Sequence, residues 1–384
     1  MDTFIKEELE KIAGAGLKRN LTLVETPQGP RVSINGQEKI LLCSNDYLGL
    51  SNHPAVKKAM KEAIDDYGAG AGASRLVSGN MAPHHALEER IKRFKDAPAA
   101  ILFNSGYNAN IGVITTLAGR DTGIFSDKLN HASIVDACVL SRANVKRYPP
   151  RNADALEALL KKSTAKKRLI ITEGVFSMDG TIAPLEDIIA IAKRYGAAIL
   201  LDDAHSIGVL GKTGRGTLEH FSIRHAPVIE LGTLGKAFGV FGAFVTGSRE
   251  LIELLVSKAR PLIYTTALPP SVCAGAIAAI DTADNNPLLR ERLWENVSYM
   301  REGLEKAGLD TMESEAHIIP LFVGRADRAM EISKRLLDKG VFIQGIRPPT
   351  VPEGGSRLRI TVTAAHTKDD IDFALSAIKE AFNG

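Results

Sequence analysis

The sequence predicts an α/β protein: a mostly parallel central sheet with one antiparallel strand, helices on both faces, and a smaller α+β domain at the C-terminal end. Three observations predict it. From about residue 99, apolar runs of strand length alternate with helical patterns. The steps from Glu173 to Asp202 and from Asp202 to Lys236 are 29 and 34 residues, the length of a βαβ unit. The runs are near-continuously apolar, as strands covered on both faces are.

Taken in order, residues 2–17 read as a short amphipathic helix, and Ile34-Asn35-Gly36-Gln37 as a hairpin turn. His53–Asp66 is helical, with Pro54 in its first turn. A glycine-alanine crossing, Gly68 to Ser74, leads to a helix over Pro83–Phe94. The strand Ala99–Phe103 leads to Asn104-Ser105-Gly106-Tyr107 and a helix over Ile111–Leu117. Gly123–Phe125 leads to Asp127 and His131, Leu169–Thr172 to Glu173 and Ser177, Ala197–Leu201 to Asp202 and His205, and Val228–Leu231 to Thr233 and Lys236. Gly239–Thr246 follows Lys236 too closely for a crossover helix, so it should pair antiparallel. After a long helix at Pro287–Ala307 come strand Ile318–Val323, helix Ala326–Lys339, strands Val341–Ile343 and Leu358–Val362, and helix Thr367–Phe382, with Thr367 and Asp370 as a capping box. The expected domains are an N-terminal arm over 1–45, a large domain over 46–284 and a small one over 285–384.

The 384 residues are 45% hydrophobic and 24% charged, ordinary for a globular chain, which excludes disorder, collagen and coiled coil as the main architecture. Net charge is +3, with no basic clustering that would mark a nucleic-acid partner. The run Lys161 to Arg168 reads as a solvated loop. Cys43, Cys138 and Cys273 lie far apart and suggest neither a zinc site nor a disulfide framework. The first residues are charged and lack an apolar core, and no apolar stretch is long enough for a membrane span. A soluble cytoplasmic protein, without metal or membrane partner, is expected. One number stands out: 9 of the 34 glycines fall between Gly208 and Gly247, where an even spread places about 3.5.

In open α/β sheets, ligands bind outside the carboxyl ends of the strands. His131, Glu173, Ser177, Asp202, His205, Thr233 and Lys236 all fall at such ends. No GxGxxG occurs and no complete P-loop, so nucleotide readings fail. The segment Ser105-Gly106-Tyr107 opens a helix, where free backbone N–H groups favour a phosphate or simply form a capped turn. Lys236, flanked by glycines just past a buried strand, suits a nucleophilic amine. Asp202, following five apolar residues, needs a cationic partner such as a protonated ring nitrogen. Lysine, aspartate and phosphate site together point to pyridoxal phosphate.

At these residues the sequence resembles the α-oxoamine synthases, pyridoxal-phosphate enzymes of the aspartate aminotransferase fold (fold type I). The motifs are Ser44-Asn45-Asp46-Tyr47-Leu48-Gly49-Leu50, Asn104-Ser105-Gly106-Tyr107, Asn130-His131-Ala132-Ser133, Glu173-Gly174-Val175-Phe176-Ser177-Met178-Asp179-Gly180, Asp202-Asp203-Ala204-His205 and Thr233-Leu234-Gly235-Lys236. The resemblance implies that Lys236 holds the cofactor as a Schiff base and moves the α-proton. It further implies that Asp202 pairs with the pyridine nitrogen, His131 stacks on the ring, and His205 and Ser177 contact its phenolate oxygen. Ser105, Gly106, Tyr107 and Thr233 are implied around the phosphate, with Thr265 or Thr266 reaching that of a homodimer partner. Arg359 is implied on the amino-acid carboxylate, Arg19 and Thr350 near an acyl thioester, and Asn45 and Glu173 in substrate positioning.

Within the family, Ile346-Arg347-Pro348-Pro349-Thr350-Val351-Pro352 and Arg357-Leu358-Arg359-Ile360-Thr361-Val362-Thr363-Ala364-Ala365-His366 resemble the biotin-pathway branch. That branch condenses L-alanine with a pimeloyl thioester of coenzyme A or an acyl-carrier protein. Ala237 departs from it, standing where many of its members have Gly. A sibling acyltransferase using glycine or serine with another acyl-CoA, an aminotransferase or lyase, and a non-enzymatic binding protein are the alternatives.

Overall fold

The computed structural model describes residues 1–224 and 226–383; Gly384, the last residue of the expected small domain, lies outside the described residues. Two units form, one from Met1–Ser44 with Trp294–Gly384 and one from Asn45–Leu293. The chain opens with α1 (Asp2–Gly14), which ends three residues short of the expected helix and buries no side chain. β1 (Arg31–Ile34) and β2 (Gln37–Leu41) follow as an antiparallel hairpin. Asn35 and Gly36, at φ of 53° and 70°, supply the left-handed pair that a tight two-residue turn requires.

α2 (Pro54–Tyr67), α3 (Ala82–Lys95) and β3 (Ala99–Phe103) lie as expected. α4 (Gly106–Leu117) begins five residues earlier than the sequence predicts. The cause is Ser105, in extended geometry, whose hydroxyl accepts the Asn108 N–H at 3.2 Å and caps the helix. The alternation continues through β4 (Thr122–Asp127), α5 (Ala132–Ser141), β5 (Asn144–Tyr148), α6 (Ala153–Lys161), β6 (Lys167–Glu173), α7 (Leu185–Tyr195), β7 (Ala198–Asp202), α8 (Thr217–His220), β8 (Val228–Thr233) and β9 (Ala243–Gly247). β9 starts four residues later than expected, because Gly239 and Gly242 take φ of 65° and 109° and turn the chain first. Then come α9 (Arg249–Lys258), α10 (Arg260–Ile263), α11 (Pro270–Asn285), α12 (Leu288–Lys306), β10 (Ile318–Gly324), α13 (Ala326–Asp338), β11 (Val341–Phe342), β12 (Gln344–Ile346), β13 (Ser356–Thr361) and α14 (Lys368–Asn383).

In the Asn45–Leu293 unit the seven-stranded sheet has the order β3-β9-β8-β7-β6-β4-β5. β9 runs antiparallel to both neighbours, and every other pair is parallel, as the sequence predicts. Alternate residues of one strand enter different cores. Leu169 and Ile171 of β6 pack with Leu200 of β7 on one face, while Ile170 packs with Ile199 and Leu201 on the other. Both faces are therefore dry, and polar side chains are pushed to the strand ends.

In the other unit β11 pairs in parallel with β2, Val341 against Ile40, and β10-β13-β12 form a second small sheet. The Thr367–Asp370 capping box is present at the start of α14, with the Asp370 N–H donating to Thr367 Oγ1 at 3.2 Å and the Thr367 N–H to Asp370 Oδ2 at 2.9 Å.

Candidate active site

Parallel strands place their carboxyl ends on one rim, and β6, β7 and β8 end there with Glu173, Asp202 and Thr233. Lys236 is half-buried three residues beyond β8. Its Nζ lies 2.8 Å from His205 Nε2. His205 Nδ1 lies 2.7 Å from the hydroxyl of the fully buried Tyr47, which donates to Asn45 Oδ1 at 3.1 Å. A phenol carries one proton. If it goes to Asn45, Tyr47 accepts from His205 Nδ1–H, and Nε2 is left as the acceptor facing the Lys236 amine. Asp46 fixes this segment by accepting the N–H of Leu50 at 2.9 Å and the hydroxyl of Ser51 at 2.5 Å.

The loop carrying Lys236 passes the Asn45–Ser51 segment so closely that only glycine fits. A Cβ on Gly239 would lie 2.2 Å from the Ser51 backbone nitrogen, and its φ is +65°. Gly106, first residue of α4, is held likewise: a Cβ there would sit 2.8 Å from Thr233 Cγ2. The free N–H groups of α4, Tyr107 included, thus open beside Thr233, whose hydroxyl donates to the Ala204 carbonyl at 3.3 Å. The Tyr107 phenol itself turns away to Asp136.

Asp202 accepts at both oxygens, Oδ1 from the Ala204 N–H at 3.1 Å and Oδ2 from Asn110 Nδ2 at 2.7 Å. Glu173 is its register partner on β6. Burial, and then the neighbouring Asp202 carboxylate, push the Glu173 carboxyl well above the ordinary range. Its Oε2 accepts from the Ser177 N–H at 3.3 Å, and its Oε1 is buried without a hydrogen-bond partner. His131, an exposed residue, caps α5 by accepting the Ser133 N–H at Nδ1, and desolvation lowers its pKa.

The structure therefore brings together Asn45, Ser105, Gly106, Tyr107, His131, Glu173, Ser177, Asp202, His205, Thr233 and Lys236 in one unit. Thr265 and Thr266 belong to the same unit; Thr266 bridges Ser74, and its carbonyl accepts from Asn104, next to Ser105. Arg19, Thr350 and Arg359 belong to the other unit, the first two exposed and Arg359 buried on β13. There Arg347 donates to the Lys18 carbonyl at 2.7 Å, tying the chain beside Arg19 to the turn that contains Thr350. Sequence reasoning gave no role to Tyr47 or Asn110. Tyr47 follows the polar Ser44-Asn45-Asp46, and nothing local marks its hydroxyl as buried against His205. Among the described residues no group of three or more His, Cys, Asp or Glu is placed to hold a metal ion, and no helix is long and apolar enough to cross a membrane.

Residues 37–378 match the family model for aminotransferase class I and II. A curated 8-amino-7-oxononanoate synthase from Geobacter sulfurreducens is 51% identical over 98% of this chain and 97% of its own. A serine palmitoyltransferase from S. paucimobilis, solved with a bound PLP–myriocin aldimine, superposes with a TM-score of 0.94 at 33% identity, over 99% of this chain and 96% of that one. The solved 8-amino-7-oxononanoate synthase of Francisella tularensis gives 0.78 at 32%, over 90% of this chain and 98% of that one.

Proposed function

The chain belongs to the aminotransferase class I and II family, and from that premise we propose that it condenses L-alanine with a pimeloyl thioester, releasing carbon dioxide and the thiol carrier and giving 8-amino-7-oxononanoate for biotin synthesis. What carries this reading is the 51% identity to a relative of that name over 98% of the chain. The site supports it. The α4 N-terminus beside Thr233, the acceptor pair of Asp202 and the amine of Lys236 are the anion site, ring-nitrogen partner and nucleophile that pyridoxal phosphate needs. When bound, that cofactor supplies an electrophilic carbonyl carbon and a ring that accepts an electron pair.

The residues then divide the labour. Lys236 would hold the cofactor through Nζ, and as a free amine would take the substrate α-proton at that same atom. His205, 2.8 Å away, accepts from the amine and keeps its position through Tyr47. Asp202, its oxygens already oriented by Asn110 and Ala204, would hold a protonated ring nitrogen. Burial and the neighbouring Asp202 carboxylate raise the Glu173 carboxyl well above its ordinary range, which disfavours a second negative charge on the rim. His131 would pack on the cofactor ring, and Ser177 with His205 would hold its phenolate oxygen. Arg359 takes the alanine carboxylate, and Arg19 and Thr350 the acyl side. The working form is a homodimer, supported by large apolar side chains that one chain leaves exposed, among them Val77 at 79% and Tyr264 at 71%.

The test feeds purified holoenzyme alanine with pimeloyl-CoA or a pimeloyl carrier protein, against glycine with acetyl-CoA, and reads free thiol. Thiol release with alanine and a pimeloyl thioester alone is the expected result. Faster release from glycine and acetyl-CoA would assign the sibling ligase reaction, and keto acid without thiol an aminotransferase.

A further inference from the structure

We propose that Asn110 and Ser133 are positioning residues of the site: one buried amide and one buried hydroxyl jointly orient Asp202 and fix the tautomer of His131. The proposal rests on the reading of Asp202 and His131 as the edge and face contacts of the cofactor. Neither Asn110 nor Ser133 belongs to the groups expected to touch it. Both are 1% exposed, Asn110 one turn into α4 and Ser133 at the start of α5.

The hydrogens available fix the arrangement. The Asn110 amide has two N–H bonds. Nδ2 lies 2.7 Å from Asp202 Oδ2 and 3.0 Å from Ser133 Oγ, so both are spent. The reversed amide would aim an oxygen at a carboxylate oxygen, so Asp202 itself sets the orientation. Ser133 Oγ receives the Asn110 hydrogen and must turn its own elsewhere. His131 Nδ1 lies 2.8 Å away, and the Ser133 N–H points to the same nitrogen at 3.3 Å. Two donors converge on Nδ1, which is therefore an acceptor. The His131 proton then sits on Nε2 and the ring is neutral.

The chain Asp202–Asn110–Ser133–His131 thus joins the group at the ring edge to the group on the ring face through two intermediaries. The charged groups acting on His131 are Asp202, Lys236 and Asp136, and burial lowers its pKa, in keeping with a neutral ring. A doubly protonated His131 would confront the Ser133 donors with a third hydrogen and break the count.

The experiment uses holoenzyme with 15N-labelled histidine side chains, the His131 signals assigned by their loss in His131→Gln. In the wild type Nδ1 should be unprotonated and Nε2 protonated. Ser133→Ala should leave the Asn110–Asp202 bond intact, mix the two tautomers and shift the His131 titration. Asn110→Leu removes both donors at similar volume. It should mix the tautomers as well and weaken pyridoxal phosphate binding about tenfold, the loss of one hydrogen bond to a charged group. A merely structural role would lower the melting temperature and leave the tautomer alone. A proton on Nδ1 in the wild type, or an unchanged tautomer in Ser133→Ala, overturns the proposal. A wild type lacking a visible cofactor band that borohydride bleaches defeats the site reading itself, and this inference with it.

Discussion

At the scale of single residues, the site is a set of short donor chains ending on groups that must not rotate. Tyr47 shows this best. Its hydroxyl meets His205 at 2.7 Å, and His205 meets Lys236 at 2.8 Å. Tyr47→Phe keeps the ring packing and removes that bond, leaving His205 Nδ1 without its phenol. We expect kcat to fall about tenfold, the cost of one buried hydrogen bond, with KM for alanine nearly unchanged and an altered pH profile. Steady-state kinetics across pH checks this; a wild-type profile would show that His205 keeps its orientation without the phenol. Lys236 and Asp202 were legible in the sequence because strand-end position and apolar neighbours are local signals. Tyr47 and Asn110 were not, because their partners lie 158 and 92 residues away and only the sheet brings them close.

At the scale of elements, sequence and structure part where tertiary contacts override propensity. The first five residues of α4 include Gly106, Asn108 and Asn110, weak helix formers, so the sequence pattern predicts a helix only from Ile111. The Ser105 cap and the packing of Gly106 against Thr233 form the turn regardless. The β5 edge was also unread, since Asn144-Val145-Lys146-Arg147-Tyr148 lacks an apolar run; its charges suit an edge that must not recruit another strand. One element contact carries a prediction. Lys95 ends α3 and Glu230 lies in β8, three residues before Thr233; the two are buried and 2.8 Å apart. Lys95 also reaches the Arg215 carbonyl. Lys95→Met strands a buried carboxylate and should destabilise by about 3–5 kcal/mol, whereas Lys95→Met with Glu230→Leu should recover most of the loss. Denaturant titration of both variants decides. A double variant no more stable than the single one would mean that the pair specifies local geometry rather than offsetting a buried charge.

At the scale of the whole chain, the glycine excess between Gly208 and Gly247 is now explained by close passages such as Gly239 against Ser51 rather than by flexibility. The pH dependence of stability is a second whole-chain property, because buried titratable groups in the two units pull in opposite directions. His366, in the Trp294–Gly384 segment, accepts the Thr363 N–H at Nδ1, and burial pushes it down to about 4. Its folded pKa lies below the unfolded one, so its contribution is full above roughly pH 6.5 and drains as pH falls toward 4. Asp127, at the end of β4, accepts the N–H groups of Leu129 and Arg151 at 2.8 Å, yet burial raises it to about 6. Its folded pKa lies above the unfolded one, so its contribution is full below roughly pH 3.9 and is lost as pH rises toward 6. Each is worth on the order of 3 kcal/mol, and between pH 4 and 6 they oppose one another. In that window the contributions of these two groups therefore largely cancel. Measured against the wild type, His366→Gln removes its rising share, so its melting temperature should fall from pH 4 to pH 6 relative to wild type; that of Asp127→Asn should instead rise relative to wild type. Calorimetry of the three proteins reads both slopes. Parallel curves for all three would show that burial of these two groups does not govern the pH response.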